Sequence, residues 1–451
     1  MAEVYTDLKK TVLTLIAEKS FQRLRDILIT IPPADIAALL SELSEKSLPL
    51  VFRLLPKDLA AETFVEMDSD LQHLLIQGFS DTELQEVVNE LYVDDAAALI
   101  EEMPANVVKR ILRQADPETR WQINEILKYP EDSAGSIMTT EFVSLRAHMS
   151  VADAIKRIRR QGLDSETINI CYVTDDGRRL IGVVSIRTLI LAEENDRIED
   201  IMNRYVVSVG TMEDQETVAK MFAKYDLTVL PVVDGEKRLV GIVTVDDALD
   251  VLQEETTEDF EKMAAITPTD RPYLKTSVLE IWKSRIPWLL VLMISATFTG
   301  LIINHFENAL KTYVLLTAYI PMLMDTGGNS GSQASVTIIR GLSLNELEFR
   351  DLFRIIWKEF QVAILAGVTL AVFNFAKLMI FDQVNLTVSL VICLTLMLTV
   401  VVAKLTGCIF PMLAQKAGFD PVVMASPFIT TIVDALALLI YFRIATRILG
   451  L

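Results

Sequence analysis

Cysteine and histidine are scarce in this chain of 451 residues, which contains three of each. All six are far apart: Cys171, Cys393, Cys408, His73, His148 and His305. Because no CxxC pair occurs, the cysteines indicate neither a disulfide framework nor a zinc site. The scattered histidines also argue against a soft-metal ligand cluster.

The sequence also lacks a GxxxxGK[ST] run and an excess of positive charge. The missing phosphate loop argues against an ATP-driven pump. The net charge of −19 argues against nucleic acid as a partner, because nucleic acids attract basic proteins. The N-terminal sequence MAEVYTDLKKTVLTLI is charged and helical, unlike a signal peptide. We therefore expect the front half to stay in the cytoplasm.

Acidic and apolar residues are separated along the chain. Residues 1–270 carry a net charge of −23, and residues 271–451 carry a net charge of +4. The mean hydropathy of +0.37 is high for a soluble protein. An acidic half beside a membrane would be repelled by anionic lipid, and bound cations would relieve that repulsion. The acidity is equally consistent with a role in solubility alone.

Short amphipathic helices are predicted over residues 1–130. A polar or proline-led turn precedes an aspartate and an apolar helix at residues 33–37, 56–60 and 93–97. Each aspartate can cap the helix that follows it. The recurring unit predicts an all-α helical-repeat domain.

A duplication follows this region. The segment YVTDDGRRLIGVVS at 172–185 returns as PVVDGEKRLVGIVT at 231–244. Each copy reads as a strand, a polar turn and a second strand, and an amphipathic helix follows. An Ile-Met pair stands before each copy, ending at Met138 and at Met202. The pattern resembles a tandem pair of CBS domains, which we place at 136–198 and 199–252 and expect to be α/β.

An acidic connecting helix is predicted over residues 246–272. Asp247, Asp250, Glu254 and Glu258 recur at three- and four-residue spacing and share one helix face. Like charges at that spacing destabilise an isolated helix. The face is therefore either solvated or bridged by cations to another acidic surface.

Five apolar segments in residues 273–451 predict a five-span α-helical transmembrane domain. They are 286–304, 312–339, 360–376, 383–403 and 421–442. Basic residues follow the second span, including Arg340 and Arg350, and Lys404 and Lys416 follow the fourth. Their positions place those loops in the cytoplasm. Arg443 and Arg447 at the end of the fifth span weakly oppose this topology.

One full charge, Asp434, lies midway along the last span. An aspartate at the centre of a membrane helix costs roughly 2.5–3.5 kcal/mol, so such residues face a polar cavity, a partner or an ion. The second span contains the run PMLMDTGGNSGSQAS at 321–335. Its small residues fit either irregular backbone along a wet path or close helix packing.

Oxygen ligands without histidine or cysteine suit Mg²⁺ or Ca²⁺. One carboxylate with hydroxyls and carbonyls nearby favours a largely hydrated Mg²⁺, because Ca²⁺ takes six to eight oxygens. We therefore expect Mg²⁺ at Asp434. The ion path is predicted to pass Gly327, Gly328, Asn329, Ser426 and Thr430.

Together these motifs resemble the MgtE family of magnesium channels and transporters along nearly the whole chain. The matching features are YPEDSAG at 129–135, the CBS pair, the acidic helix, PMLMDTGGNSGSQ at 321–333 and TTIVD at 430–434. The resemblance implies a homodimer in the cell membrane, with hydrated Mg²⁺ held by Asp434 in a pore between the two copies. It also implies that cytoplasmic Mg²⁺ bridges acidic surfaces and closes the channel. The bridging acids that the resemblance implies are Asp94, Asp214, Glu216, Asp226, Asp247, Asp250, Glu255, Glu258, Asp259 and Asp420.

The sequence departs from the family pattern in two places. Ala98 stands where the family can carry a further acid, which predicts weaker sensing by the helical domain. Ile170 and Leu227 stand where some members pack aromatic residues on ATP, so we do not expect nucleotide binding.

Two alternatives to a Mg²⁺ channel stay open, and neither is an enzyme. One is a transporter for Co²⁺ or Mn²⁺, or one coupled to Na⁺ or H⁺ through Asp325; the other is a membrane-anchored sensor that conducts nothing.

Overall fold

The structure is a computed structural model that describes residues 2–269, 273–424 and 426–450. The chain divides into two compact units, Met1–Leu252 and Gln253–Leu451. The first unit contains helices and strands, and the described part of the second is helical.

Ten short helices build the first part of the first unit. They are α1 (Ala2–Ala17), α2 (Phe21–Leu28), α3 (Pro33–Ser41), α4 (Leu48–Phe52), α5 (Lys57–Val65), α6 (Ser69–Gly78), α7 (Asp81–Glu90), α8 (Val93–Glu102), α9 (Ala105–Gln114) and α10 (Pro117–Ile126). Helices two apart pack on each other, α3 on α5, α5 on α7, and α7 on α9. This packing confirms the predicted helical repeat.

The repeated aspartates lie inside the first helical turns and not at the caps. Pro32 and Pro56 hold the N-cap positions of α3 and α5, and neither helix has a side-chain cap. Asp35 and Asp58 follow within the first turn. The prediction that these aspartates cap the helices was wrong. Their negative charge instead interacts favourably with the positive, N-terminal end of the helix dipole.

Two three-stranded sheets follow, one from each copy of the duplication. They consist of β1 (Phe142–Arg146), β2 (Thr167–Thr174) and β3 (Leu180–Ser185), and of β4 (Val209–Gly210), β5 (Val229–Val233) and β6 (Leu239–Thr244). In both sheets the first pair of strands is parallel and the second is antiparallel. The accompanying helices are α11 (Val151–Gln161), α12 (Ile186–Leu191), α13 (Ile198–Ile201) and α14 (Gln215–Tyr225). The tandem α/β pair is confirmed.

The methionine before each copy packs against the sheet of the other copy. The sulfur of Met138 lies 2.6 Å from the position that a Cβ on Gly241 would take. The sulfur of Met202 lies 2.7 Å from the corresponding position on Gly182. Any side chain at either glycine would displace a methionine. The Ile-Met motif before one copy and the glycine in the other copy therefore form a contact, which occurs twice.

A single hydrophobic core joins the helical repeat to the second CBS domain. It contains Ile100 and Ile126 from the helices together with Leu230 and Val243 from the second sheet.

The acidic connecting stretch is helix α15 (Val245–Met263), which begins in the first unit and ends in the second. The predicted helix extended to residue 272, but residues 270–272 lie outside those described.

The described part of the second unit contains six further α-helices, four of them long and apolar. They are α16 (Val278–His305), α17 (Glu307–Thr312), α18 (Ile320–Ser343), α19 (Leu352–Ile380), α20 (Leu386–Lys416) and α21 (Ser426–Leu449). Within the described residues, α16, α19, α20 and α21 are long and apolar enough to cross a membrane. The 24 residues of α18 could reach about 36 Å, but its polar run keeps it out of that group. The five-span count therefore stays a prediction.

Helix α20 is longer than the fourth predicted span. It continues to Lys416, so Lys404 lies inside the helix and is only 7% exposed. The prediction that Lys404 belongs to a cytoplasmic loop was wrong, because the helix does not stop where the uncharged run stops. Only Lys416 still supports the cytoplasmic placement of that end.

Candidate metal sites

The glycine-rich run in the second unit forms part of one uninterrupted helix, α18. A Cβ on Gly327 would lie 2.7 Å from Cγ2 of Thr399, and one on Gly331 would lie 2.9 Å from Cγ2 of Ile429. A Cβ on Gly407 would lie 2.2 Å from the carbonyl oxygen of Gly331. Helices α18 and α20 thus meet backbone to backbone. Of the two interpretations of this run, close packing is confirmed and irregular backbone is wrong.

Asp434 lies in the middle of α21, on the helix that packs against this glycine face. Its side chain is partly buried. Asp434 and Asp325 of α18 are close enough for their charges to interact. The second unit thus holds two carboxylates near one another on neighbouring helices.

The other residues predicted along the ion path do not share one surface. Gly327 and Gly328 are buried, and Gly328 faces Thr430, whose hydroxyl donates to the carbonyl of Pro427 at 3.0 Å. Asn329 is exposed on another side of α18. Ser426 begins α21, but its side chain lies outside what the structure describes.

Asn329 borders a polar groove of about 810 Å³ formed by α18, α19 and α20. Gln333, Glu359 and Lys404 also line it. The Lys404 ammonium lies 3.9 Å from Oε2 of Glu359, and both side chains are largely buried. That oxygen has no hydrogen-bond partner among the described residues. The groove was not predicted, because no sequence signal joins residues this far apart.

A second acidic site lies in the first unit, where α8 and the start of α15 approach the first CBS domain. Its carboxylates interact electrostatically and are Asp94, Asp95, Glu141, Glu166, Asp246 and Asp247. We call these six residues the acidic cluster. Oε2 of Glu141 accepts a hydrogen bond from the N–H of Val93 at 3.1 Å and ties the CBS domain to α8. In the described part of the chain, no ion pair reaches any of the six.

Burial and mutual repulsion raise the pKa values in the acidic cluster. Burial, followed by the charge of Asp247, raises the pKa of Asp94 well above its usual value. The same two causes raise the pKa of Asp95 to about 7 and that of Glu166 to about 8. Burial also raises the pKa of Asp247, against the hydrogen bonds from Thr244. The cluster is therefore only partly ionised at neutral pH unless a cation joins it.

The described residues contain no group of three or more histidine, cysteine, aspartate or glutamate side chains placed to hold a metal ion. Mg²⁺ keeps several waters and is bound through one or two carboxylates, whereas Ca²⁺ needs six to eight oxygens. The described acids therefore do not form a Ca²⁺ cage.

Three of the acids assigned by resemblance lie at opposite ends of α14. Asp214 accepts a hydrogen bond from the N–H of Thr217 at 3.1 Å as the N-cap, and Glu216 pairs with Lys220 at 2.5 Å. Asp226 is the C-cap, with a left-handed φ of 52°. The 11 residues of α14 separate these ends by about 16 Å, so one ion cannot join Asp226 to the other two within a chain.

The remaining predicted acids lie farther along the chain. Asp250 lies on the part of α15 within the first unit, and burial raises its pKa. Glu255, Glu258 and Asp259 lie on the part within the second unit. Asp420 lies in the loop before α21, and Lys262 bonds to it and to Glu258. Four cluster members were missed in the sequence: Asp95, Glu141, Glu166 and Asp246.

Comparisons with known proteins agree with the domain order. A sequence profile described as a divalent cation transporter, MgtE, matches residues 320–444. The MgtE intracellular N domain matches 31–132, and CBS domains match 134–195 and 198–254. The magnesium transporter MgtE of Thermus thermophilus is 39% identical over 436 residues, which cover 96% of each chain. This chain belongs to the MgtE family.

A second MgtE relative, the magnesium transporter of Bacillus subtilis, is 33% identical and covers 98% of this chain and 97% of its own. A crystal structure of the cytosolic domain of the Mg²⁺ channel MgtE in complex with ATP has 41% identity and a TM-score of 0.52. It covers 54% of this chain and 99% of that one. The soluble part of a magnesium transporter has 30% identity and a TM-score of 0.53, over 56% and 99%.

These comparisons decide several predictions. The resemblance to MgtE and the multi-domain fold are confirmed, and the family is one of transporters and not of enzymes. The match to the intracellular N domain supports a cytosolic N-terminal half. The individual metal ligands and ion-path residues stay predictions.

Proposed function

We propose that this chain carries Mg²⁺ across the cell membrane and that cytosolic Mg²⁺ closes the path. The observation that carries the proposal is the likeness to magnesium transporters at 39% and 33% identity over nearly the full length of both chains. The oxygen-only acids of both units suit the same ion.

Asp434 is the proposed binding residue for Mg²⁺ in the membrane. The waters bound to a hydrated Mg²⁺ can donate hydrogen bonds to a carboxylate, so the ion keeps its water shell. The helix that carries Asp434 is fixed against the glycine face of α18, where Ile429 and Val433 contact Gly331 and Gly327. Close packing holds the carboxylate at a defined place.

A homodimer is proposed because one copy leaves a polar helix face uncovered. Asp325, Asn329 and Gln333 recur at four-residue spacing on α18, and all three are exposed. Such a face is costly against lipid, so a second copy and a water-filled path between the copies would remove the cost. Disulfide cross-linking of Asn329→Cys between two copies checks this; absence of cross-linking at this face would contradict it.

The acidic cluster supports the proposal that Mg²⁺ closes the path. Without a cation, carboxylates from α8, α15 and the first CBS domain repel one another at close range. Bound Mg²⁺ would offset that repulsion and stabilise the packed arrangement. A ligand that binds one arrangement better shifts the population toward it, and here the favoured arrangement is the closed one.

A coupled transporter is the second candidate, favoured by the charge interaction of Asp325 with Asp434. A second carboxylate beside the first could carry H⁺ or Na⁺. Uptake abolished by collapse of both gradients would select this candidate over a channel.

Nucleotide is not proposed as a ligand, although a related cytosolic domain was crystallised with ATP. Ile170 and Leu227 pack within the hydrophobic clusters of the CBS pair and offer no aromatic ring to adenine. We expect millimolar ATP to leave the Mg²⁺ response of purified protein unchanged; a shift of that response would contradict this expectation.

The test of Mg²⁺ conduction is Asp434→Asn, which removes the charge and keeps the size. We expect Mg²⁺ uptake into proteoliposomes to fall at least about tenfold while the protein stays folded. Thr446→Val on the same helix is the control, because that hydroxyl donates to the carbonyl of Phe442 at 2.8 Å. Uptake by Asp434→Asn equal to that of the control would overturn the assignment.

A further inference from the structure

The C-terminal end of α15, which lies in the second unit, carries one lysine between two carboxylates. The Nζ of Lys262 lies 2.8 Å from Oε1 of Glu258, one turn earlier on the same helix. It also lies 3.0 Å from Oδ2 of Asp420, in the loop that leads to α21. Both distances are those of charge-assisted hydrogen bonds.

The surroundings hold this arrangement in place. The second oxygen of Asp420 accepts a hydrogen bond from the N–H of Val422 at 2.9 Å, so the carboxylate is fixed from both sides. Met263, next to Lys262, packs against Val422 and Ile339. The two carboxylates favour the charged form of the lysine side chain between them.

The resemblance to MgtE assigns Mg²⁺ to Glu258 and Asp420, and this donor set does not fit that assignment. Mg²⁺ would bring a charge of +2 and a shell of waters to a point that an ammonium group already fills. The two carboxylates are also largely neutralised by the lysine. A metal ion could bind there only after Lys262 moved away.

We infer that Lys262 takes the place of a divalent cation between Glu258 and Asp420. The inference rests on the proposed gating function. The C-terminal end of α15 is then held within the second unit by Lys262, Glu258 and Asp420 themselves, at any Mg²⁺ concentration. Regulation by Mg²⁺ is left to the acidic cluster of the first unit.

The experiment compares Lys262→Met with Lys311→Met in full-length protein. Methionine keeps an apolar stem and removes the charge. Lys311 is a matched control because it pairs with Glu307 at 2.7 Å and four residues' spacing, and it has no second carboxylate partner among the described residues. A cysteine at position 422 reports release of the helix end, because Val422 is 4% exposed and contacts Met263. The native cysteines are buried and give a low background.

In the Val422→Cys background we expect slow maleimide labelling, equal with and without Mg²⁺. Lys262→Met should label at least about tenfold faster in Mg²⁺-free buffer, and Mg²⁺ should slow it again. Equilibrium binding should show one additional Mg²⁺ per chain in that variant, because the two carboxylates are released. Lys311→Met should change neither readout.

Two results would overturn the inference. The first concerns protein that carries Val422→Cys and keeps Lys262. If its labelling rate already changes with Mg²⁺, and adding Asp420→Asn removes that change, Mg²⁺ binds at Asp420 in the presence of the lysine. The other is a Lys262→Met protein that gains neither fast labelling nor the extra ion. If Lys262→Met does not fold, Asp420→Asn tests the same contact: labelling should accelerate, and Mg²⁺ should not reverse it. None of these readouts uses ion flux, so failure of the proposed transport would be seen separately.

Discussion

Single carboxylates in this protein take their properties from tertiary neighbours. Glu83 accepts a hydrogen bond from Arg53 at 2.6 Å, and this contact lowers the pKa of Glu83 to about 2. Glu166 has burial and Asp247 instead, and its pKa rises to about 8. A glutamate side chain is thus permanently ionised at position 83 and able to bind a proton near neutral pH at position 166.

The raised pKa values predict that protons and Mg²⁺ compete for the acidic cluster. Below about pH 7, Asp95 and Glu166 hold protons and the packed cluster is favoured without a metal. As the pH rises through about 8, that stability is lost unless Mg²⁺ replaces the protons. We therefore expect Mg²⁺ affinity to fall by up to about tenfold per unit as the pH is lowered from 8 to 6.

Calorimetric Mg²⁺ titrations at pH 6, 7 and 8 measure this, in buffers that differ in ionisation enthalpy so that proton release is counted. The double variant Asp95→Asn, Glu166→Gln should remove most of the pH dependence. An affinity that is constant over this range would contradict the account of the cluster.

Part of this site could be predicted from sequence. The resemblance to MgtE assigned Asp94 and Asp247 to metal binding, and Asp247 also lies on the acidic helix face that the residue spacing predicted. Glu141 and Glu166 carry no such signal. They join the cluster only because the first CBS domain packs beside α8, which periodicity in the sequence cannot reveal.

Among the helices, α18 shows how packing overrides composition. Glycine, serine and asparagine are poor helix formers, so the run at 321–335 favoured a broken span about as much as a helix. Contacts of Gly327 and Gly331 with α20 and α21 supply the stability that propensity does not. The end of α20 was misplaced for a related reason, since Lys404 is buried beside Glu359 and does not end the helix.

The glycine contacts predict large effects of adding one methyl group. Gly407→Ala places a Cβ 2.2 Å from the carbonyl oxygen of Gly331, where the backbone must move. We expect the free energy of unfolding to fall by about 1–3 kcal/mol or more. The midpoint of thermal unfolding in detergent should fall with it. Gly300→Ala on α16 is the control, because its Cβ would meet nothing within 4 Å. A Gly407→Ala protein as stable as the control would contradict the close contact of α18 and α20.

The whole molecule combines an acidic unit that suits Mg²⁺ with an apolar unit that carries Asp434. The order of the domains, the duplication and the helical class of both ends could be read from the sequence, because each depends on local patterns that repeat. The positions at which acids from separate domains meet could not be read from it, because they depend on how the helical repeat and the second CBS domain share one core.

The most direct measurement is Mg²⁺ flux into proteoliposomes of the purified protein, with internal Mg²⁺ varied from none to several times the cytosolic level. The account predicts flux that stops as internal Mg²⁺ rises, and flux that persists when Asp247→Asn removes a carboxylate of the acidic cluster. Flux that ignores internal Mg²⁺ in the unmodified protein would contradict gating by the acidic cluster. No flux at all would contradict transport and favour a membrane-anchored sensor.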